Sequence, residues 1–147
     1  MKNFMYSIGK KAIIASKNKV NSKSKNKVLD RYINLIKKNK KLIIKQNNKD
    51  INYAVNKKLP KNLVDRLTID HVKINNICEN INIVKKLKDP VDITLKKWKR
   101  PNNLLIKKVS IPLGVVGIIF ESRPNVTSDI SSLCFKSGNA VILRGGS

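Results

Sequence analysis

The stretch that decides the fold is VVGIIFESRPNVTSDISSLCFKSGNAVILR, residues 115–144. It opens with the apolar run Val115 to Phe120, which is typical of a strand buried on both faces of a parallel sheet. A helix is predicted from about Thr127 to Ser137, with Gly138 placed to end it. Ala140 to Leu143 is a second apolar strand. The order strand, loop, helix, strand predicts one βαβ unit.

The residues before Pro90 follow a helical period instead. Four helices are predicted: one around Ile8 to Ala15, one capped by Ser24, a short one from Asn48 or Asp50 through Val55, and one from about Asp70 to Asp89. A further short segment, Leu63 to Leu67, follows the break at Leu59-Pro60. The apolar stripes expected to face inward are Val28, Leu29, Tyr32, Ile33, Ile36 and Ile43 in the second helix, and Ile74, Ile77, Cys78, Ile81 and Val84 in the last.

Between these regions the period changes to two. Ile93 to Trp98 and Leu104 to Val109 are predicted strands, and the turn-rich tetrapeptide Arg100-Pro101-Asn102-Asn103 joins them as a β-hairpin. The fold class is therefore α/β, and we expect three parts: a helical region over 1–90, a hairpin over 91–110 and the start of a βαβ domain over 111–147. With one βαβ unit, the apolar faces of its two strands would meet water.

Composition limits the function classes. The 147 residues hold 32 lysines and arginines against 9 acids, a net charge of +23, and 27 Lys, 19 Asn and 20 Ile fill much of the chain. These three residue types share A- and T-rich codons, so base composition alone explains much of the charge. Tyrosine and tryptophan are sparse and all lie before residue 100. We therefore expect nucleic-acid binding to be nonspecific only, although a basic nucleic-acid-binding protein stays an alternative.

The cysteines and apolar stretches favour a cytoplasmic protein. Cys78 and Cys134 form no CxxC pair, and His71 is the single histidine, so neither a disulfide framework nor a zinc site is predicted. The apolar stretch Ile111 to Phe120 is well short of the roughly 20 residues that span a bilayer. No signal peptide or membrane association is expected.

Candidate site residues follow the two predicted parallel strands, because ligands gather at the carboxyl ends of such strands. In the first loop, the Arg123 guanidinium can bind a carboxylate or phosphate, and the Asn125 amide can donate to a developing oxyanion. The alternative is ordinary helix entry, with Asn125 or Thr127 as the cap and Arg123 solvated. The second loop, Arg144-Gly145-Gly146-Ser147, offers a phosphate or ribose contact, or simply a turn.

The run IPLGVVGIIFESRPNVTSDISSLCFKSGNAVILRGGS, residues 111–147, resembles the gamma-glutamyl phosphate reductases, also called glutamate-5-semialdehyde dehydrogenases, of the aldehyde dehydrogenase superfamily. The motifs that carry the resemblance are PLGV, SRPNVT and KSGNAVILRGGS. Upstream, KVLDRYINLI, LVDRLTID and KDPV are similar to the family's N-terminal helices in the same order. The resemblance implies the N-terminal third of such an enzyme, ending inside a Rossmann-like cofactor domain.

The resemblance also implies an activity. Family enzymes reduce L-glutamyl 5-phosphate with NADPH to glutamate 5-semialdehyde and phosphate, in proline biosynthesis, through a cysteine thiolate that forms a thioester. That cysteine lies beyond the position matching Ser147, so neither Cys78 nor Cys134 is the nucleophile. We therefore expect a truncated chain, inactive alone, that is either a fragment or the product of a degraded gene. A noncatalytic remnant is the alternative.

Roles for individual residues follow from the same resemblance. Arg144 falls where aldehyde dehydrogenases place a lysine near the adenosine ribose, and a cation there suits the 2′-phosphate of NADP. Gly145 and Ser147 are expected to complete the cofactor contact, and Asn125 resembles the superfamily's oxyanion asparagine. Arg123 is the expected substrate contact. The hairpin resembles the strands of the family's oligomerisation arm, which implies a homo-oligomer.

Overall fold

The computed structural model describes residues 2–121 and 123–145. These residues form six helices and four strands, in an order that confirms the predicted α/β class. The elements are α1 (Lys2–Ser16), α2 (Ser22–Lys38), α3 (Lys40–Asn56), α4 (Lys61–Leu67), α5 (His71–Lys86), β1 (Thr94–Lys99), β2 (Leu105–Val109), β3 (Val115–Ile119), α6 (Asn125–Lys136) and β4 (Ala140–Arg144).

Polar side chains set the helix starts. The Asp70 carboxylate accepts a hydrogen bond from the backbone N–H of Lys73 at 2.6 Å, which confirms the predicted start of α5. The prediction that Ser24 caps α2 is wrong. Asn21 is the cap, and its side chain accepts from the backbone N–H of Ser24 at 2.8 Å. Both residue types suit a cap, and the structure uses the one that lies three residues earlier.

The predicted single apolar stripe through Ile43 is wrong because α2 ends at Lys38. The backbone N–H of Asn39 and its side-chain amide both donate to the Leu35 carbonyl, at 3.0 and 2.8 Å, and this satisfies the end of the helix. Ile43 therefore belongs to α3. That helix runs for 17 residues from Lys40, so the predicted short helix from Asn48 or Asp50 is also wrong.

The core lies among α2, α3 and α5. The inward stripe predicted for α5 is confirmed in full, and Ile81 at its centre is completely buried. In α2 the stripe is confirmed apart from Val28, which is 49% exposed because it lies about 100° around the helix from Leu29. The buried apolar residues are Leu29, Ile33, Ile36, Ala54, Ile69, Ile74, Ile77, Cys78, Ile81 and Val84.

The predicted hairpin is confirmed, with each strand beginning one residue later than expected. β1 and β2 pair antiparallel with Trp98 opposite Ile106, and Asn103 takes the left-handed conformation in the turn. Lys96 faces Lys108 and Lys97 faces Lys107 across the strands. Like charges in such pairs repel, so the hairpin is held by its backbone ladder and turn.

The βαβ unit is confirmed as well. β3 and β4 are parallel neighbours, with Val115 opposite Ala140 and Ile119 opposite Arg144. Gly138 follows α6 with φ +75°, as its predicted role in ending the helix requires. The helix starts at Asn125, two residues before the predicted Thr127, because Pro124 takes the N-cap position.

The strands of the βαβ unit are only partly covered. Helix α1 contacts β4 and β3, and α6 contacts β4. β3 and β4 pair only with each other among the described residues, and in β3 Gly117 is exposed and Ile119 is 83% exposed. The burial on both faces that the run Val115 to Phe120 predicted is therefore absent, because these neighbours cover β3 only in part.

Helix α6 docks on the helical bundle through small and polar side chains. Ser128, Ser132 and Lys136 are buried at intervals of four residues, facing α5 and α2. The Lys136 ammonium donates to the Asn26 side-chain oxygen at 2.7 Å and to the Lys85 carbonyl at 2.8 Å. The carbonyl belongs to the last turn of α5, where a helix favours positive charge. These contacts fix α6 against the bundle.

Candidate functional site

The carboxyl ends of β3 and β4 meet at one edge of the sheet. The register sets Ile119 beside Arg144, and the backbone N–H of Phe120 donates to the Arg144 carbonyl at 3.0 Å. The loop that leads to α6 therefore starts next to the residues that follow β4. Arg123 in that loop and Arg144 are both exposed, so two predicted site cations lie on segments that leave the same edge.

Gly145 lies at this edge beside an aromatic ring. A Cβ built on it would lie 3.8 Å from Cζ of Phe120, an ordinary van der Waals distance. Packing would therefore allow a larger residue at this position. Because glycine has no side chain, it leaves the backbone next to Arg144 uncovered. The third predicted cofactor contact, Ser147, lies outside the described residues.

Asn125 is the first residue of α6, and it does not cap the helix. The N-cap is Pro124, and no side chain makes the capping hydrogen bond, so the interpretation of Asn125 or Thr127 as the cap is wrong. The Asn125 amide nitrogen instead donates to Oδ2 of Asp129 at 3.0 Å. Asp129 was not among the predicted site residues. Its position four residues after Asn125, one helical turn away, is the only signal in the sequence that points to it.

The second oxygen of Asp129 is buried. Oδ1 has no hydrogen-bond partner among the described residues. The charge of Asp129 also affects Tyr32 of α2. Burial raises the pKa of the Tyr32 phenol, and the nearby Asp129 carboxylate raises that pKa further. The carboxylate thus lies between the exposed start of α6 and the surface of the bundle.

Two glycines of the family-like motifs lie at the opposite, amino edge of the sheet. Gly114 has φ +106° and its N–H donates to the Asn139 side chain at 2.9 Å. Gly138 combines its positive φ with close packing, because a Cβ there would lie 3.0 Å from Cγ of Pro112. Gly114 and Gly138 therefore lie where the two strands begin, while Arg123 and Arg144 lie on the segments at the carboxyl edge.

Neither cysteine lies at that edge. Cys78 is buried in the core, where burial raises the pKa of its thiol and the charges of Lys37 and Lys40 offset only part of the rise. Cys134 is partly buried in α6, and burial raises the pKa of its thiol too. The preference for a packing role over a nucleophilic one at Cys134 is consistent with this placement. His71 is exposed at the start of α5.

Residues 2–121 and 123–145 contain no group of three or more His, Cys, Asp and Glu side chains arranged to hold a metal ion. In the same residues, no helix has the length and apolar character needed to cross a membrane.

Similarity to known proteins is strong over part of the chain. No protein-family model matches it. The gamma-glutamyl phosphate reductase of Clostridium novyi is 50% identical over 99 residues, which cover 67% of this chain and 24% of the relative. The protein of the same name from Bradyrhizobium diazoefficiens is 51% identical over 92 residues, which cover 63% of this chain and 21% of that protein.

Solved structures give the same result. The crystal structure of gamma-glutamyl phosphate reductase from Thermotoga maritima superposes with a TM-score of 0.86 at 35% identity, over 92% of this chain and 33% of that one. The Saccharomyces cerevisiae enzyme gives a TM-score of 0.86 at 32% identity, over 93% of this chain and 35% of that one. This chain is therefore similar to the gamma-glutamyl phosphate reductases in sequence and fold over the part that it spans, which is about a quarter to a third of their length.

Proposed function

We propose that this chain is the N-terminal segment of an NADPH-dependent reductase that converts L-glutamyl 5-phosphate to glutamate 5-semialdehyde and phosphate in proline biosynthesis. The observation that carries the proposal is the 50% identity over 99 residues to proteins of this name. The segment would supply the first βαβ unit of a Rossmann-like cofactor domain, preceded by the helical region and the hairpin. Its compartment would be the cytoplasm.

The residues at the carboxyl edge suit the phosphates of a dinucleotide. Arg144 and Gly145 are exposed there, and the N-terminus of α6 carries no side-chain cap. Uncapped N–H groups and the positive end of the helix dipole favour an anion. We assign Arg144 to the 2′-phosphate that distinguishes NADP from NAD, and Gly145 and Ser147 to the neighbouring cofactor contacts. When bound, NADPH supplies the hydride.

The residues of the first loop suit the acyl phosphate. The Arg123 guanidinium, exposed two residues before α6, can bind a carboxylate or phosphate group through two parallel N–H bonds. The Asn125 amide at the start of α6 can donate to the carbonyl oxygen of the substrate as negative charge develops on it. Both residues bind or stabilise, and neither can replace a covalent nucleophile.

The nucleophile would come from outside this segment. Acyl transfer to sulfur requires a thiolate, and burial raises the pKa of both thiols present, so both favour the protonated form. Cys78 is also enclosed in the bundle core, away from the carboxyl edge. We therefore propose that the 147-residue chain does not catalyse the reduction by itself.

The hairpin is the proposed contact for a second copy. Both strands are exposed, and each is paired only with the other among the described residues. A strand of another chain can therefore add to either edge. The five lysines of the hairpin would bind nucleic acid only nonspecifically, because Trp98 is the single aromatic side chain beside them.

A chimera tests the proposed function. This chain would replace the matched third of the Thermotoga maritima reductase, and the reaction would be followed in reverse, as the oxidation of glutamate 5-semialdehyde with phosphate and NADP. An active chimera is expected. R144Q should raise KM for NADP by roughly 10-fold and leave KM for NAD unchanged, since one cation on a phosphate is worth about 1–2 kcal/mol.

The matched control is R100Q, which makes the same substitution at the exposed hairpin turn and should change neither constant. A well-folded chimera without activity would refute the proposed function. An active chimera in which R144Q affects NADP and NAD alike would refute the assignment of Arg144 to the 2′-phosphate.

A further inference from the structure

The carboxylate of Asp129 sits in an arrangement that stability alone does not explain. Its Oδ1 atom is buried without a hydrogen-bond partner among the described residues, while Oδ2 accepts from the Asn125 amide at 3.0 Å. A buried acceptor without a donor lowers stability. Such groups in native structures point to a role in binding or catalysis. The one partner that Asp129 does have is the residue proposed as the oxyanion donor.

We propose that Asp129 is a positioning residue, which orients the Asn125 amide so that its NH2 group can reach the reacting carbonyl oxygen. The inference rests on the proposed function, in which Asn125 stabilises the oxyanion. An amide can turn either its oxygen or its nitrogen toward a neighbour, and a carboxylate accepts only from the nitrogen. The bond to Asp129 therefore fixes the orientation, uses one N–H and leaves the second N–H of the same nitrogen to donate.

The backbone beneath both residues is held in place as well. The hydroxyl of Ser128, which is buried, donates to the Asn125 carbonyl at 2.8 Å. The hydroxyl of Ser132, which is also buried, donates to the Asp129 carbonyl at 2.9 Å. These serines lie on the face of α6 that packs against the bundle. The helical turn that carries Asn125 and Asp129 is therefore fixed by hydrogen bonds from these buried serines. A donor that must be placed precisely requires such a fixed backbone.

Orientation, and not charge, is the contribution we assign to Asp129. A negative charge close to a developing oxyanion opposes its formation, so the carboxylate cannot help electrostatically. The neutral variant D129N offers an acceptor oxygen in only one of its two amide orientations, so it should keep the orientation of Asn125 in part. D129L has a similar volume and no acceptor, so that variant frees the amide completely.

The test uses the active chimera described above, with kcat and KM measured for each variant. N125A removes the donor and should lower kcat by about 100-fold or more. D129L should lower kcat by roughly 10-fold to 100-fold through misplacement of the amide, with KM for NADP unchanged. D129N should lose less activity than D129L, and the double variant N125A/D129L should be no slower than N125A, because both changes remove one interaction.

The outcomes separate the two proposals. If N125A leaves kcat unchanged, the oxyanion role itself fails, whatever Asp129 does. If N125A is slow but D129L is as fast as the parent, or if the two losses multiply in the double variant, Asp129 does not act through Asn125. A pair that only stabilises the helix surface would lower the melting temperature of D129L and D129N slightly and leave kcat intact. The melting temperature and the NADP affinity of D129L are measured as controls, to establish that the variant is folded.

Discussion

The helical bundle and the βαβ unit differ in the burial of apolar side chains. All buried apolar residues of the described chain lie between Leu29 and Val84, in or next to α2, α3 and α5. The buried side chains of the βαβ unit are Ser128, Ser132 and Lys136, where α6 meets the bundle, and Ile119 is 83% exposed. The apolar core thus lies in the bundle, with Phe135 of α6 packed against it. The candidate site lies in the less buried part.

The largest effect should come from one substitution made in each region. Ile81→Ala removes a side chain with no exposed surface and should lower the free energy of unfolding by about 4 kcal/mol, from lost burial and the cavity left behind. Ile119→Ala makes the same change on an open strand and should stay within about 0.5 kcal/mol of the parent. Urea denaturation measures both values, and equal losses would show that the two regions are equally closed.

The next effect compares a buried ion pair of the helical region with an exposed one. The buried Lys25 ammonium lies 2.9 Å from both oxygens of Asp89. Asp89→Asn leaves that cation uncompensated and should cost about 3 kcal/mol. Asp30→Asn is the matched control, because Asp30 pairs with Lys85 at an exposed site and should cost less than about 1 kcal/mol. Similar losses from the two changes would contradict the burial of the first pair.

The Asp89 pair also predicts a pH dependence. Burial acts to raise the pKa of Asp89, but hydrogen bonds from Lys25 and Val91, together with the charges of Lys25 and Lys136, outweigh it and lower the pKa. A carboxylate whose pKa falls on folding stabilises the protein above its unfolded pKa, which is about 3.9. That stabilisation is lost as the pH falls through the folded pKa. The difference in unfolding free energy between the parent and D89N should therefore shrink below about pH 4.

The smallest expected effect concerns two of the glycines of the βαβ unit, Gly138 and Gly117. Gly138→Ala would adopt a left-handed φ and press a methyl group against Pro112 at 3.0 Å, which should cost about 2 kcal/mol. Gly117→Ala meets no atom within 4 Å and should change stability by less than about 0.5 kcal/mol. The same denaturation measurement checks both variants. A large loss at Gly117 would show that β3 is more tightly covered than its exposure indicates.

The sequence predicted the elements whose signals are local. Three such features are present in the structure: the buried stripe of α5, its start at Asp70 and the glycine that follows α6 at 138. The first depends on helical spacing, and the other two depend on the conformational preference of one residue. The break at Asn39 was missed because the lysine-rich segments on both sides favour helix equally. The residue between the two segments then determines whether one helix ends there, and asparagine can either end a helix or continue it.

The site was less predictable than the fold. The strand order placed Arg123, Asn125 and Arg144 around one edge of the sheet, as expected for residues that follow parallel strands. Two other features were not predicted. The Lys25–Asp89 pair is a tertiary contact between residues 64 positions apart, which no local pattern indicates. The Asp129 bond to Asn125 has helical spacing, but spacing alone does not say which side-chain rotamers the two residues adopt.

Hydrogen exchange followed by region tests the central claim most directly, namely that the helices bury an apolar core and the two-stranded sheet does not. In the 147-residue chain, amides of α2 and α5 should exchange slowly, because a buried core must unfold to release them. Amides of β3 and β4 should exchange at least about 100-fold faster, since two paired strands whose residues are at most half-buried separate locally. Strong and uniform protection of residues 115–144 in a monomer, equal to that of the helices, would contradict the account.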